Sequence, residues 1–475
     1  MLLRHIAYYS LARGLPGVVN FAALAVYTRL LSPDEFGRYA VVLAGVGLVN
    51  VIVFQWLRLV LLRFLHANTH DSARFLSGIL ALFLTLALAV TGVGALLVLW
   101  WPDPVWQHLL ALAVPLLLAQ AWFELNLELV RARLAPLVYG KLLGSKAVIA
   151  LALGALLAWI GLGTIAPLLG LIVSHALALL VFGLGAWNAV RPAWPGAQAL
   201  REQLRYGLPL MVSFALVWVV SSSDRLLLAW FLDEAAVGAY AAGYDLAFQV
   251  ITLLLVIINT AAHPLAINAL ENQGPAAATE QLRINGELIF VAALTAAAVL
   301  FVLSPVLVPW LIGVSFRDDA LRILPWIVLA SALAGIKAYF FDMAFHLGRR
   351  SGWLVITGGL AALANVGLNL VLIPRYGITG AAAATLAAYG SAMVASAWFG
   401  ARVFPMPSTQ PLLAKALVIA LLTGVVSHWL LPDGLAALSQ LAMGAVLALV
   451  VALVLALSLN VANARHRMME CLCKF

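Results

Sequence analysis

LSGILALFLTLALAVTGVGALLVLW (76–100) runs for twenty-five residues without one ionisable side chain. A helix needs about 20 apolar residues to cross the hydrocarbon core of a bilayer. Inside that core each backbone amide must find its partner within the segment itself. The stretch therefore reads as a membrane-spanning helix. A transmembrane β-strand would show roughly ten residues of alternating polarity instead, and this run is continuous and more than twice as long.

The same texture extends in both directions. Of the 475 residues, 65% are hydrophobic and only 10% are charged, against about 25% charged residues in a soluble domain. The mean hydropathy is +1.06. Thirteen further apolar runs are predicted as spans, at 8–31, 39–62, 105–126, 142–160, 165–187, 207–232, 237–262, 286–312, 323–346, 353–373, 377–400, 412–431 and 436–459. Turn chemistry punctuates them at SPDEFG (32–37), WPDP (101–104), FPMPS (404–408) and LPDG (431–434). The expected fold is an all-α integral membrane protein of about fourteen transmembrane helices. The first run continues past Arg13 to Leu31 without a small-residue cleavage site, so it reads as the first span and not as a leader.

Basic residues set the orientation. With the N-terminus inside, twenty of the 27 lysines and arginines fall on the cytoplasmic side. Six fall outside, and Lys337 lies mid-span. Both termini are expected inside. The net charge of +8 is then explained by basic loops beside anionic lipid headgroups, and no nucleic-acid partner is needed. Cys471 and Cys473 follow the last span. Two cysteines supply neither a disulfide framework nor the four ligands of a zinc site, so they read as part of a free tail. The sequence shows no phosphate loop, no metal-ligand cluster and no nucleophile–base pair, and no loop is long enough for a glycosyltransferase or polymerase site. It does not read as an enzyme. His175 and His346 are isolated within or at the end of spans and read as hydrogen-bonded packing groups, with a proton-relay role as the alternative.

A duplication is visible. GLP occurs at 14–16 in span 1 and at 207–209 in span 7. FGRYAVV (36–42) opens span 2 and VGAYAAG (237–243) opens span 8. The offsets of 193 and 201 residues each correspond to six spans, so both halves have the same orientation, a transporter architecture with its site between lobes. The expected organisation is an N-lobe over 1–187 and a cytoplasmic linker over 188–205. A C-lobe follows over 206–403, then spans 13 and 14 over 404–460 and a cytoplasmic tail over 461–475. The picture is thus two pseudo-symmetric six-helix lobes plus two C-terminal helices.

LSPDEFGRYA (31–40), RYGLPLMVS (205–213), SSSDRLLLAWFL (221–232), VGAYAAGYDLA (237–247) and NVGLNLVLIPRYGITGAAAAT (365–385) together resemble the polysaccharide exporters and O-antigen flippases of the MOP superfamily, which is MATE-like in fold. The resemblance covers nearly the whole chain. It implies a multi-pass protein of the bacterial inner membrane that rocks between inward-open and outward-open states. The substrate it implies is a polyprenyl-diphosphate-linked oligosaccharide, an O-antigen or exopolysaccharide repeat unit. Membrane lipids, a polysaccharide polymerase and a chain-length regulator are the implied partners. No cofactor is implied, and coupling to proton or sodium is left open. A lipid-linked peptidoglycan precursor flippase is a close alternative. A MATE-type drug/cation antiporter is a more distant one, because spans 1 to 3 carry no acidic residue within the membrane.

Such a substrate needs cations inside the membrane, where charge is costly and functional by default. Lys337, near mid-membrane, is the leading candidate, with a structural ion pair as the alternative. Asp342, five residues on, is expected about 7.5 Å further along the axis and not directly over it. Arg13 and Arg58, near the cytoplasmic ends of spans 1 and 2, either meet the diphosphate with a guanidinium fork or snorkel to the interface. Near the outer ends, Arg29, Asp224, Arg225 and Asp245 form either an outer gate or a solvated cluster. Glu124 and Glu128 lie one turn apart beside Arg131, an edge pair in which Glu124 could face the cavity.

Overall fold

The computed structural model describes residues 2–65, 72–183, 187, 190–432 and 436–464, with side chains from residue 15 onward. The readings of Cys471, Cys473 and the side chain of Arg13 lie outside the described residues. Among the described residues the protein is all-α, without strands. It falls into two units, Met1–Gly238 and Ala239–Phe475.

The first unit contains α1 (Leu2–Leu30), α2 (Pro33–Val53), α3 (Gln55–Phe64), α4 (Ser72–Trp100), α5 (Pro104–Ala132), α6 (Pro136–Trp159), α7 (Ile165–Phe182) and α8 (Ala197–Phe231). α9 (Glu234–Gln273) begins at its end and leads into the second unit. That unit continues with α10 (Pro275–Leu311), α11 (Arg317–Ile336), a π-helical turn (Lys337–Phe341) and α12 (Met343–Leu347). It closes with α13 (Gly352–Val403), α14 (Thr409–Leu430) and α15 (Ala437–Ser458). Within the first unit, α8 packs on α2 and α3.

Among the described residues, twelve helices are long and apolar enough to cross a membrane. α13 holds two spans, because Gly377 (φ 59, ψ −138) breaks the 52-residue run. α1, with its described apolar part at Leu15–Leu30, supplies another. The expected all-α class is what the structure shows, and its long apolar helices agree with the expected count of about fourteen spans.

Three local expectations change. SPDEFG is not a loop but the start of α2. The Ser32 side chain accepts from the Glu35 backbone N–H at 3.3 Å, and Glu35 Oε2 accepts from the Ser32 N–H at 2.9 Å. This is a capping box with proline at the first helical position. The second span is interrupted at Phe54 and continues as α3. Finally, α8, α9 and α10 run for 35, 40 and 37 residues, well past their apolar stretches. Hydropathy locates only the apolar part of a helix, whereas backbone hydrogen bonding carries on through its polar end. Gly274 closes α9 with φ 88 and ψ −177, a conformation open to glycine, and Pro275 opens α10.

Both copies of the duplicated glycine sit at a close crossing. A Cβ on Gly37 would lie 1.7 Å from the Glu234 carbonyl oxygen. A Cβ on Gly238 would lie 2.1 Å from that of Pro33. Each is also 3.0 Å from the other's backbone nitrogen, so the N-terminal turns of α2 and α9 touch backbone to backbone. Both GLP prolines, Pro16 and Pro209, fall inside helices, where each removes one rung of the ladder.

The fold back at Gly377 carries its own prediction. Its φ and ψ are open to glycine and hardly to any L-residue. Gly377→Ala is expected to cost about 1–3 kcal/mol, read as a lower melting temperature of the purified protein. Gly367→Ala, on the same helix with nothing within 4 Å of the new Cβ, should leave melting nearly unchanged.

In the second unit, α10 also anchors the C-terminal helices. Glu287 is 3% exposed and lies 2.9 Å from Arg283 Nη1 and 2.8 Å from Lys415 Nζ of α14. It also accepts the Ala462 backbone N–H just past α15.

Candidate functional site

α11 ends at Ile336, and the following five residues wind as a π-turn, with the Asp342 N–H donating to the Lys337 carbonyl at 2.9 Å. In an α-helix residues five apart point to different sides, since 3.6 residues complete a turn. An i→i+5 turn is wider and returns the fifth residue to the same side. Lys337 Nζ consequently lies 2.7 Å from Asp342 Oδ2, with the two side chains only 13% and 10% exposed. This corrects the expectation that Asp342 stands clear of Lys337, which assumed α-helical spacing. The second carboxylate oxygen, Oδ1, accepts from Ser396 Oγ of α13 at 2.7 Å. Phe290, Phe340 and Phe341 pack edge-on against one another beside the turn, with ring centroids 5.0–6.3 Å apart. The pair is thus fixed on three sides, in a type of helix distortion that recurs at functional sites.

A neutral polar group lies in the same unit. Asn369 Nδ2 donates to Asn365 Oδ1 at 3.2 Å, and Asn365 Nδ2 to Thr385 Oγ1 at 3.4 Å, with Tyr240 Oη also 3.4 Å from Thr385 Oγ1. The asparagines and the threonine are fully buried. They join the two halves of α13 to each other and to α9.

The first unit has its own partly buried ion pair. Arg58 of α3 is salt-bridged to Glu124 of α5 and hydrogen-bonded to Gln55 of its own helix. Glu124 also accepts from Asn50 Nδ2 of α2 and from Gln120 Nε2, each at 2.9 Å. The Arg58 side chain is 13% exposed. Its Nε is buried without a hydrogen-bond partner among the described residues. A buried donor left open requires an explanation. Arg58→Lys keeps the charge but loses the planar fork. Losing about one charge-assisted hydrogen bond to Glu124 or Gln55 is expected to cost about 1.5–3 kcal/mol, read as a lower melting temperature of the purified protein.

The other candidates are more dispersed. Glu128 pairs with Arg131 at 3.5 Å, separating its role from that of Glu124. Arg29 Nη1 donates to the Ala25 carbonyl one turn back at 2.7 Å. Asp224 is 1% exposed on α8 beside Arg225, in the first unit, and Asp245 is half-buried on α9 in the second. His175 is 3% exposed, its Nδ1 2.6 Å from the Leu171 carbonyl and its ring against Phe123, as expected of a packing group. A recess of about 880 Å³ in the first unit is lined by Val46, Val90, Leu117, Trp101, Trp106 and Trp230, and is too apolar to receive a diphosphate.

Sequence reasoning missed Ser396, Asn50 and Gln55, single polar residues whose positions become meaningful only once the helices are packed. Glu287 carried a readable signal, a carboxylate just inside the ninth apolar run.

Comparison with known proteins places these features in context. A family model described as "Polysaccharide biosynthesis protein" matches residues 26–320. Among solved structures, the lipid II flippase MurJ in an inward closed conformation superposes with a TM-score of 0.80 at 13% identity, over 95% of this chain and 98% of that one. An inward-facing multidrug resistance MATE family transporter of the MOP superfamily gives 0.60 at 14% identity, over 83% and 97%. A MOP superfamily transporter from Pyrococcus furiosus gives 0.57 at 15% identity, over 84% and 94%. At these identities the likeness carries the fold alone. No curated protein matches the chain. The family match spans well over half of the sequence, and so this multi-pass membrane chain belongs to the polysaccharide biosynthesis protein family, with a fold shared with MurJ and the MATE transporters.

Proposed function

We propose that the protein flips a polyprenyl-diphosphate-linked oligosaccharide, an O-antigen or exopolysaccharide repeat unit, across the bacterial inner membrane by alternating access. Both termini are on the cytoplasmic side in this reading, which follows the asymmetry of basic residues. A polysaccharide polymerase and a chain-length regulator would act on the product. The observation that carries the proposal is a buried basic side chain within the spans of each unit, Arg58 and Lys337, in a chain of this family.

The diphosphate cannot enter hydrocarbon unaccompanied, so cations must meet it. Cations without partners would be equally costly in the empty protein. The geometry answers both demands: Glu124 and Asp342 hold the two cations while no substrate is bound. A diphosphate that reaches either cation competes with that cation's own carboxylate, which retains other donors, Asn50 and Gln120 for Glu124 and Ser396 for Asp342. Neither carboxylate then loses all of its hydrogen-bond donors.

A lipid-linked peptidoglycan precursor is the second reading, favoured by the closer superposition on MurJ than on the MATE transporter. A cation antiporter would need a carboxylate available to its ion, whereas Glu124 and Asp342 are engaged by basic groups. The test is complementation of a strain lacking its polysaccharide flippase. Restored surface polysaccharide supports the proposal. Rescue of a strain depleted of its peptidoglycan precursor flippase, without polysaccharide, would move it to the second reading. Resistance to organic cations alone would discard both.

A further inference from the structure

The turn after α12 and the two ends of α13 meet because α13 folds back at Gly377. Gly348 packs against Val403, where a Cβ would lie 2.4 Å from Val403 Cγ1. This contact brings the turn carrying Arg349 and Arg350 up to the end of α13 that carries Arg402. Three aromatic rings occupy the same end. Trp353 stacks on Phe399 at 4.4 Å, and Trp398 stands edge-on to Phe399 at 4.7 Å. The Arg402 guanidinium lies 3.3 Å from the centroid of the Trp398 ring, which itself is 55% exposed.

All three arginines are exposed, and none has an ion-pair partner among the described residues. Nearby carboxylates are already engaged, Asp342 by Lys337 and Ser396, and Glu280 by Arg283 at 2.6 Å. The turn itself is strained. Arg349 has φ 53, the left-handed region where glycine or asparagine closes a turn at least cost, yet an arginine stands there. Unneutralised guanidinium groups beside aromatic rings, at the ends of apolar spans, match the chemistry of the membrane interface. The rings sit at headgroup depth, and the guanidinium forks match phosphate oxygens.

We propose that Arg349, Arg350 and Arg402, with Trp398 orienting Arg402, form a docking site for the phosphate headgroup of an anionic membrane phospholipid. The site needs only that this end of the spans lies at a membrane surface, so it stands independently of which substrate is flipped. Each arginine removed should weaken anionic-lipid binding roughly fivefold.

The test is native mass spectrometry of the full detergent-solubilised chain titrated with phosphatidylglycerol or phosphatidylcholine. The wild type is expected to prefer phosphatidylglycerol, and R349Q/R350Q/R402Q to lose that preference while still binding phosphatidylcholine. W398A, which leaves all three charges, should show a smaller loss and keeps the test valid should the triple variant fail to fold. An unchanged preference in either variant that folds would overturn the site. Full competition by inorganic diphosphate at matched concentration would overturn it too, by showing a pocket for free phosphate and not for a lipid.

Discussion

Lys337→Ala is expected to abolish export, and the double substitution Lys337→Ala/Asp342→Ala to restore the fold without restoring export. The reasoning starts from the π-turn. Removing the lysine alone strands Asp342, 10% exposed and held only by Ser396. Breaking one side of a buried ion pair typically costs about 3–5 kcal/mol, a large part of the about 5–15 kcal/mol that holds a typical domain folded. Loss of export in the single variant would therefore conflate a missing cation with a damaged protein. Removing both partners takes away the stranded charge, and replacing a buried pair by apolar groups is often nearly neutral. Melting temperature should then recover. If Lys337 meets the diphosphate, export stays absent. If the pair only braces the turn, export returns with the fold. Lys337→Arg retains the charge in a larger side chain and should export partially. Melting of the purified variants and surface polysaccharide in the complemented strain together read all three.

Gly37→Ala is expected to do even more damage, because no local adjustment accommodates it. The new Cβ would lie 1.7 Å from a backbone carbonyl, and neither the carbonyl nor the helix carrying it can rotate aside as a side chain would. Overpacking a core usually costs about 1–3 kcal/mol and more when backbone must move. Folded yield after solubilisation, measured by size-exclusion chromatography, should fall severely. Gly238→Ala should behave alike, since its Cβ meets the reciprocal carbonyl at 2.1 Å. Gly45→Ala, on the same α2 with nothing within 4 Å, should yield as much protein as the wild type. Equal yields for Gly37→Ala and Gly45→Ala would mean that the crossing of α2 and α9 is looser than the structure has it.

These two cases also show what was legible in the sequence. The spans were readable because hydrocarbon imposes length and apolarity on each of them, and residues 76–100 alone sufficed to choose helix over strand. The duplicated glycines could be seen as a repeat, but not that Gly37 and Gly238 face each other, since a close crossing leaves no trace in either helix by itself. Lys337 was conspicuous because charge in mid-membrane is rare. Its pairing with Asp342 was invisible, because five-residue spacing separates two side chains on an α-helix and joins them only where the helix widens. Arg58 and Glu124 were each noticed, yet lie far apart in the chain, and only the packing of α3 on α5 makes them one group. Polar helix ends were shortened in the reading because hydropathy ends before hydrogen bonding does.

The most direct test of the central claim is translocation in proteoliposomes. Purified wild type and the Lys337→Ala/Asp342→Ala variant would be reconstituted with a fluorescent polyprenyl-diphosphate oligosaccharide, and its movement between leaflets followed by accessibility to a membrane-impermeant glycosidase. The account predicts rapid movement with the wild type and movement no faster than in empty liposomes with the folded double variant. A folded wild type that leaves the lipid-linked sugar in its original leaflet would contradict the flippase assignment, and equal rates for both proteins would contradict the role of Lys337 as the cation that meets the diphosphate.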